Sequence, residues 1–222
     1  MSKKVIITGS TGMVGRGILI ECLESDKIKE VLLINRRPVG INHQKLKELM
    51  LKDFSDFSTI RNELSGYDAC FYSMGVSALG MKEEDYSIIT FDYTKNLADL
   101  LHDINPSMVF NYVSGSGTDS SEKGNIMWAR VKGKTENYIL NKGFKDAYAF
   151  RPGAIIPEKG IKSSTGWYQF FYVITIPFYP LLKKLKSVTT SSRLGMSMIN
   201  TLFHSQELKH LENKDINLLA KK

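Results

Sequence analysis

At 222 residues, 42% hydrophobic and 24% charged, the chain has the makeup of an ordinary globular protein able to bury a full core. Its net charge of +7 comes without an arginine-rich run, a helix-turn-helix or a zinc pattern. That argues against nucleic acid as a partner and leaves the lysines spread over solvent faces. The first apolar strand begins almost at Met1, leaving no room for a signal peptide, and Cys22 and Cys70 read as buried fillers. Both features point to a reducing, cytoplasmic setting.

The apolar run from Val5 flows into Gly9-Ser10-Thr11-Gly12-Met13-Val14-Gly15, and an amphipathic stretch then predicts a helix over Met13 to Glu24. Strand, glycines and helix in that order are the context of a dinucleotide fingerprint. Gly9 allows the tight turn, Gly12 lets a pyrophosphate approach the backbone, and Gly15 lets helix pack on strand. The amides at the helix start, with Thr11, Met13 and Val14, face the phosphates.

Val31 to Ile34 predicts a second strand that leaves through Asn35-Arg36-Arg37-Pro38. An acid at this place accepts ribose hydroxyls in NAD sites, whereas a cation grips the 2′-phosphate in NADP sites. No acid stands here, so NADP(H) is expected over NAD(H), with Arg36 the first phosphate ligand, Arg37 the alternative and Asn35 beside them. A third strand near Leu49 to Phe54 brings Asp53 and Phe54 within reach of the adenine edge. A fourth, over Ala69 to Gly75, brings Ser73, Met74 and Gly75 under the ribose and pyrophosphate.

A helix over Glu83 to His102, a strand over Met108 to Ser114, a helix over Ile126 to Asn141 and a strand over Ala147 to Gly153 continue the alternation. Strands alternating with helices imply a parallel sheet covered on both faces, with every ligand loop at its carboxyl edge. Residues 163–182 carry no charge, are rich in aromatics, and are followed by Lys183, Lys184 and Lys186. Length alone admits a membrane span, but Gly166, Pro177, Pro180 and a polar first turn argue against one. The preferred reading is a lid within a substrate-side region at 155–190 of a single domain over 1–222. A contact with a second copy or a protein partner through 163–187 is the alternative, and a membrane-surface contact the lesser one. The four histidines show no metal-ligand spacing, so no metal is expected.

Thr8-Gly-Ser-Thr-Gly-x-x-Gly15, Asn35-Arg-Arg, Asp92-Tyr93, Phe110-Asn111-Tyr-Val-Ser114, Val131-Lys-Gly-Lys-Thr-Glu136, Phe150-Arg-Pro-Gly153 and Leu211-Glu-Asn-Lys214 occur in this order. Together they resemble the short-chain dehydrogenase/reductase superfamily in its atypical branch. Over nearly the whole chain they are similar to its Tat-interacting-protein-like group of NADPH-binding proteins. The resemblance implies a Rossmann-type doubly wound parallel α/β sheet. It also implies an oxidoreductase or sugar-epimerase-like protein acting on a small carbonyl or hydroxyl compound.

In that superfamily a Tyr-x-x-x-Lys pair and a serine carry the chemistry. Lys132 matches the lysine, Ser114 and Ser116 both match the serine, and Trp128 stands where the tyrosine belongs. Arg151-Pro152-Gly153 is implied to offer backbone to the nicotinamide carboxamide, with Arg151 itself also readable as structural. An indole N–H donates a hydrogen bond but keeps its proton at useful pH. Losing a general acid typically costs about 10²–10⁴ in rate. Trp128 therefore favours an alternative, a non-catalytic NADPH sensor or accessory protein, while Lys132, Asn111 and the two serines favour the enzyme. Two motifs are decoys. Tyr138-x-x-x-Lys142 leaves only eight residues before Arg151, too few to finish the helix and reach the strand. Gly133-Lys134-Thr135 imitates a P-loop ending, but Trp128 occupies the place of its leading glycine.

Overall fold

The computed structural model describes residues 1–161, 182 and 185–222, so the aromatic segment at 163–182, apart from residue 182, lies outside them. The chain begins with β1 (Lys3–Thr8), α1 (Met13–Glu24), β2 (Ile28–Asn35) and β3 (Leu46–Met50), then a 3-10 helix at Ser58–Leu64 and β4 (Ala69–Tyr72). It continues with α2 (Glu83–Ser87), a π-helical turn at Ile88–Asp92, α3 (Tyr93–Ile104), β5 (Val109–Val113), α4 (Met127–Leu140), β6 (Asp146–Arg151) and β7 (Ala154–Ile156). After the aromatic segment come β8 (Val188–Thr190), α5 (Ser191–Asn200), β9 (His210–Glu212) and α6 (Asn213–Leu219).

Seven strands form one parallel sheet in the order β3-β2-β1-β4-β5-β6-β9, and β7 pairs with β8 in a separate parallel ribbon. Alternation along each strand assigns its side chains to two cores. Val5, Ile7, Val31, Leu33, Phe71, Tyr148 and Phe150 pack with residues of α1, α5 and α6 on one face. Ile6, Leu32, Ile34, Cys70, Tyr72, Phe110 and Tyr112 pack with α3, the 3-10 helix and Ile139 of α4 on the other. Both faces of the sheet are dry, which is why its strands read as near-continuous apolar runs.

The expected boundaries move where pairing partners decide them. β3 is Leu46–Met50 and not Leu49 to Phe54, because it runs alongside β2 only as far as Asn35, whose carbonyl accepts from Leu51 N (2.9 Å). β2 itself starts earlier, at Ile28, which pairs with Lys3. β4 stops at Tyr72 and not Gly75, since the Ser73 hydroxyl turns to the Thr8 carbonyl (2.6 Å). β5 ends at Val113 and β6 at Arg151, before the expected Ser114 and Gly153. The helix expected over Glu83 to His102 is interrupted by the π turn. β7, β8 and β9, each of three residues, are too short to leave a periodic signal. Among the described residues no helix is long and apolar enough to cross a membrane.

Two helix contacts depend on missing side chains. α1 meets α5 at Gly17 and Gly195, where a Cβ would stand 2.6 Å from Ser191 Cβ and 2.8 Å from Glu21 Cγ. A Cβ on Gly133, in mid α4, would stand 1.8 Å from the Asp119 carbonyl oxygen. Gly133→Ala gains about 1 kcal/mol of helix propensity. It also forces a backbone clash that only displacement of the 115–124 loop relieves, an overpacking cost of about 1–3 kcal/mol. The expected outcome is net destabilisation with a lowered urea midpoint; a raised midpoint would refute the clash.

Candidate functional site

The strand order reverses direction at β1, whose neighbours are β2 and β4, so the crevice at the carboxyl ends of β1 and β4 is the topological switch point. The glycine loop fills this crevice. Gly9 has φ +72°, and a Cβ there would lie 2.6 Å from the Ser73 carbonyl carbon. A Cβ on Gly15 would stand 2.2 Å from the Gly9 carbonyl oxygen. Both glycines are required by the protein's own packing. Gly12 differs, because among the described residues only the Gly9 oxygen, at 3.4 Å, lies near its absent Cβ. Gly12 leads into α1, and Met13, Val14 and Gly15 open the helix, whose first amides have no intrahelical acceptor. Thr11 is exposed.

On the β2 side, Asn35 is buried and accepts a hydrogen bond from Ser10 Oγ (2.9 Å), tying the glycine loop to the strand end. Arg36 and Arg37 are exposed and, among the described residues, make no hydrogen bond or ion pair. An open cavity of about 510 Å³ lies beside the glycine loop, lined among others by Thr11, Gly12, Arg16, Pro38, Val39 and Lys159. Arg16 reaches along its wall to donate to the Val39 carbonyl (3.0 Å). Asp53 is exposed, and hydrogen bonds from Ser55 hold its carboxyl below the usual range. Phe54 does not present its ring to the crevice. It is only 5% exposed and packs edge-on against Phe57 and tilted against Tyr93. Ser73 is committed to the Thr8 carbonyl, Met74 is half-buried and Gly75 is exposed.

The other half of the site is built on β5, α4 and β6. The Asp119 carboxylate gathers the amides of Ser121, Lys123 and Gly124, and Asp119 N donates to the Ala129 carbonyl, so the loop after β5 is clamped to the start of α4. Arg130 reinforces this clamp through the Gly124 carbonyl (2.6 Å) and Glu83 (2.7 Å). The clamp sets Trp128, partly buried, with its ring 3.6 Å from where a Cβ of Gly117 would lie. Lys132 follows one turn later on the same helix face. Its Nζ stands over the Tyr112 ring, 5.8 Å from the centroid, and makes no hydrogen bond or ion pair among the described residues. Burial of the ammonium lowers its pKa to about 8, against the pull of the Glu136 carboxylate.

Ser114 is buried, its amide donating to the Phe150 carbonyl (2.7 Å) and its hydroxyl paired with Thr118 Oγ1 (2.9 Å). Tyr112, beneath Lys132, lies on β5, and Ser114 follows directly after the end of that strand. The Ser116 amide donates to the Pro152 carbonyl (3.1 Å), placing Ser116 against Pro152 and Gly153. Arg151 turns inward. Its Nε and Nη2 bond the fully buried Glu136 carboxylate, and Nη2 also reaches Ser120. Its side chain is structural.

Asn111 does not belong to the site. It is buried on the opposite face and donates to the Met198 carbonyl (3.2 Å) and Thr201 Oγ1 (2.9 Å), which removes it from the argument for retained chemistry. Both decoys are explained by packing. The Tyr138 hydroxyl and Lys142 converge on Asp99 of α3, while Gly133 meets the Asp119 carbonyl. Sequence reasoning missed Thr118, Tyr112 and the role of Glu136. The Lys132–Glu136 spacing of one helical turn was the available signal for the last.

Residues 5–138, well over half of the chain, match the NAD dependent epimerase/dehydratase family. The chain belongs to that family. Protein HTATIP2 of Rattus norvegicus is 25% identical over 224 residues, covering 99% of this chain and 90% of that protein. Protein FMP52, mitochondrial, of Candida albicans is 29% identical over 162 residues, covering 69% of this chain and 67% of that protein. These likenesses set the chain in the atypical short-chain dehydrogenase/reductase branch, in its Tat-interacting-protein-like group. Uronate dehydrogenase from Agrobacterium tumefaciens superposes with a TM-score of 0.68 at 13% identity, covering 96% of this chain and 76% of that one. A short chain dehydrogenase/reductase from Saccharomyces cerevisiae also gives 0.68, at 14% identity and 99% coverage of both chains. At such identities the superpositions show a shared fold.

The three glycines separate protein packing from ligand space. Gly15→Ala is expected to lower the melting temperature, because its clash is with backbone. Gly12→Ala should leave the melting temperature unchanged and weaken binding of a reduced nicotinamide dinucleotide by about tenfold, or about 1.4 kcal/mol. Differential scanning fluorimetry with and without the dinucleotide reads both; equal loss of stability in the two variants would contradict the assignment.

Proposed function

We propose that this family member is an NADP(H)-dependent oxidoreductase, or a sugar-epimerase-like relative of one, acting on a small carbonyl or hydroxyl compound. The observation that carries this reading is Lys132. A desolvated ammonium without an ion pair is costly to maintain, and such groups concentrate at functional sites. It stands on the site face of α4, one turn after Trp128.

A bound nicotinamide dinucleotide supplies or accepts a hydride. The residues present fit such a group. Gly12 leaves space that no described side chain fills, and Lys132, without an ion pair among the described residues, is a cation suited to ribose hydroxyls. Arg36 and Arg37 support a preference for NADP(H), since neither has a partner among the described residues and no carboxylate ends β2. An arginine fork suits a 2′-phosphate, which an acid would repel. Ser114 or Ser116 orients the substrate oxygen. The Ser114 hydroxyl already shares a hydrogen bond with Thr118, so Ser116 is the less committed of the two. Trp128 offers a fixed N–H donor that polarises the oxygen without giving up its proton. For the setting, two buried free cysteines suit any reducing compartment, the cytoplasm included. Relatives named as mitochondrial direct attention to that organelle as well.

Trp128 also supports a second reading, a protein that holds the dinucleotide without turnover and signals its presence to a partner. Tryptophan fluorescence titrated with NADPH and then NADH tests the binding common to both. Arg36→Ala should weaken NADPH by about tenfold, the scale of one charge-assisted hydrogen bond, and NADH by less than about threefold. Equal losses would remove the 2′-phosphate assignment. If Trp128 merely stands in for an acid, Trp128→Tyr should raise NADPH-dependent reduction across an aldehyde and quinone panel, by up to about 10²–10⁴. No gain on any member favours the sensor.

A further inference from the structure

Reduction of a carbonyl by a dinucleotide brings a hydride to carbon and leaves the oxygen in need of a proton. Resting on the oxidoreductase reading above, the question is which side chain delivers it. Among the described residues the candidates are few. Trp128 keeps its proton. Tyr112 is 1% exposed beneath the Lys132 ammonium, and burial pushes its phenol well above the ordinary range. Tyr86 of α2 is 2% exposed, and burial raises it too. Tyr138 is turned to Asp99, and Arg151 is locked on Glu136. Of these groups, Lys132 is the one on the site face whose proton no hydrogen-bond or ion-pair partner among the described residues holds.

We propose that Lys132 itself passes the proton to the substrate oxygen. One Nζ–H bond breaks as the O–H bond forms, and the carbonyl carbon takes the hydride of the reduced dinucleotide. The carbonyl leaves as an alcohol, the dinucleotide leaves oxidised, and the neutral amine regains its proton from solvent. In the oxidative direction the neutral amine accepts the proton of the alcohol.

The surroundings suit this role. The aromatic ring of Tyr112 on β5 contacts the ammonium without neutralising it. Glu136, one turn along α4, is the carboxylate that acts on Lys132. Arg151 of β6 matches its charge, and His210 of β9 lies 3.4 Å from it. Glu83 of α2 is taken by Arg130, and Asp99 of α3 by Lys95 and Lys142. The π turn offers Phe91, which faces Lys134. Lys132 is thereby desolvated without a partner, among the described residues, that would fix its charge, and a proton donor works best when it titrates near the working pH.

Competitive labelling of the folded protein with acetic anhydride from pH 6 to 11, read by peptide mass spectrometry, tests the proposal without requiring activity. Lys132 should label with a midpoint near pH 8, and an unperturbed lysine near about 10.4. NADPH at ten times its Kd should slow Lys132 labelling by about tenfold. A midpoint above about 10 overturns the proposal even if NADPH binds and is consumed, since that range is that of an ordinary lysine. Lys132→Arg keeps the cation but holds its proton. It should bind NADPH within about threefold of the unaltered protein yet lose about 10²–10⁴ of NADPH oxidation with the aldehyde panel. Retained oxidation assigns the proton to another group and overturns the proposal. Absence of saturable NADPH binding overturns the oxidoreductase reading on which it rests.

Discussion

The Glu136 carboxylate is fully buried, and an ionised carboxylate in that position is tolerable only if it is paired and hydrogen-bonded. Arg151 meets that demand through Nε and Nη2, and Ser120 holds the far side of the guanidinium. Burial and the nearby Arg151 push the His210 imidazole down, so it joins as a neutral neighbour. One carboxylate therefore draws together α4, β6, β9 and the loop after β5. Its energetic contribution is a matter of geometry more than net stability, because burying two charges costs about as much as their attraction returns. What it fixes is the rotation of α4. Glu136 turned toward β6 leaves Lys132 over β5 and Trp128 against the Gly117 turn.

The glycine loop follows a different logic. At Gly9 and Gly15 the missing Cβ is occupied by the protein's own backbone, whereas at Gly12 the described residues leave the space open beyond the Gly9 oxygen at 3.4 Å. The same residue type thus serves packing twice and ligand access once. Asn35 joins the two halves of this region, since its side chain receives Ser10 from the loop while the following two arginines find no partner among the described residues. The crevice is consequently rigid on its inner wall and cationic on its outer rim.

Much of this was legible in the chain. Local signals were strong where the segments were long and periodic: the helices over Met13–Glu24 and Met127–Leu140 lie within a residue of expectation, and the strands after Val5, Val31, Ala69, Met108 and Ala147 all exist. The glycine fingerprint followed from strand–glycine–helix order alone, whereas the switch point came from the strand order of the sheet. Errors gathered where a distant partner sets the boundary. β3 was misplaced because its length depends on pairing with β2, and no apolar pattern of its own announces Leu46. Phe54 was assigned to the adenine edge because its position in sequence suited that, yet burial against Phe57 and Tyr93 stabilises it more than exposure would.

By itself the sequence determined the parallel α/β class, the glycine loop, the absence of an acid after β2 and a tryptophan, Trp128, four residues before Lys132. Each of these depends on residue type and spacing over a few positions. Only the tertiary structure decided which polar side chains are free. Arg151, Asn111, Ser73 and Tyr138 look as available as Lys132 in the chain, but packing commits each of them to a partner far along it. Whether a charged group is spent or free depends on what the fold brings against it, and that is a property of long-range contacts that no local pattern encodes.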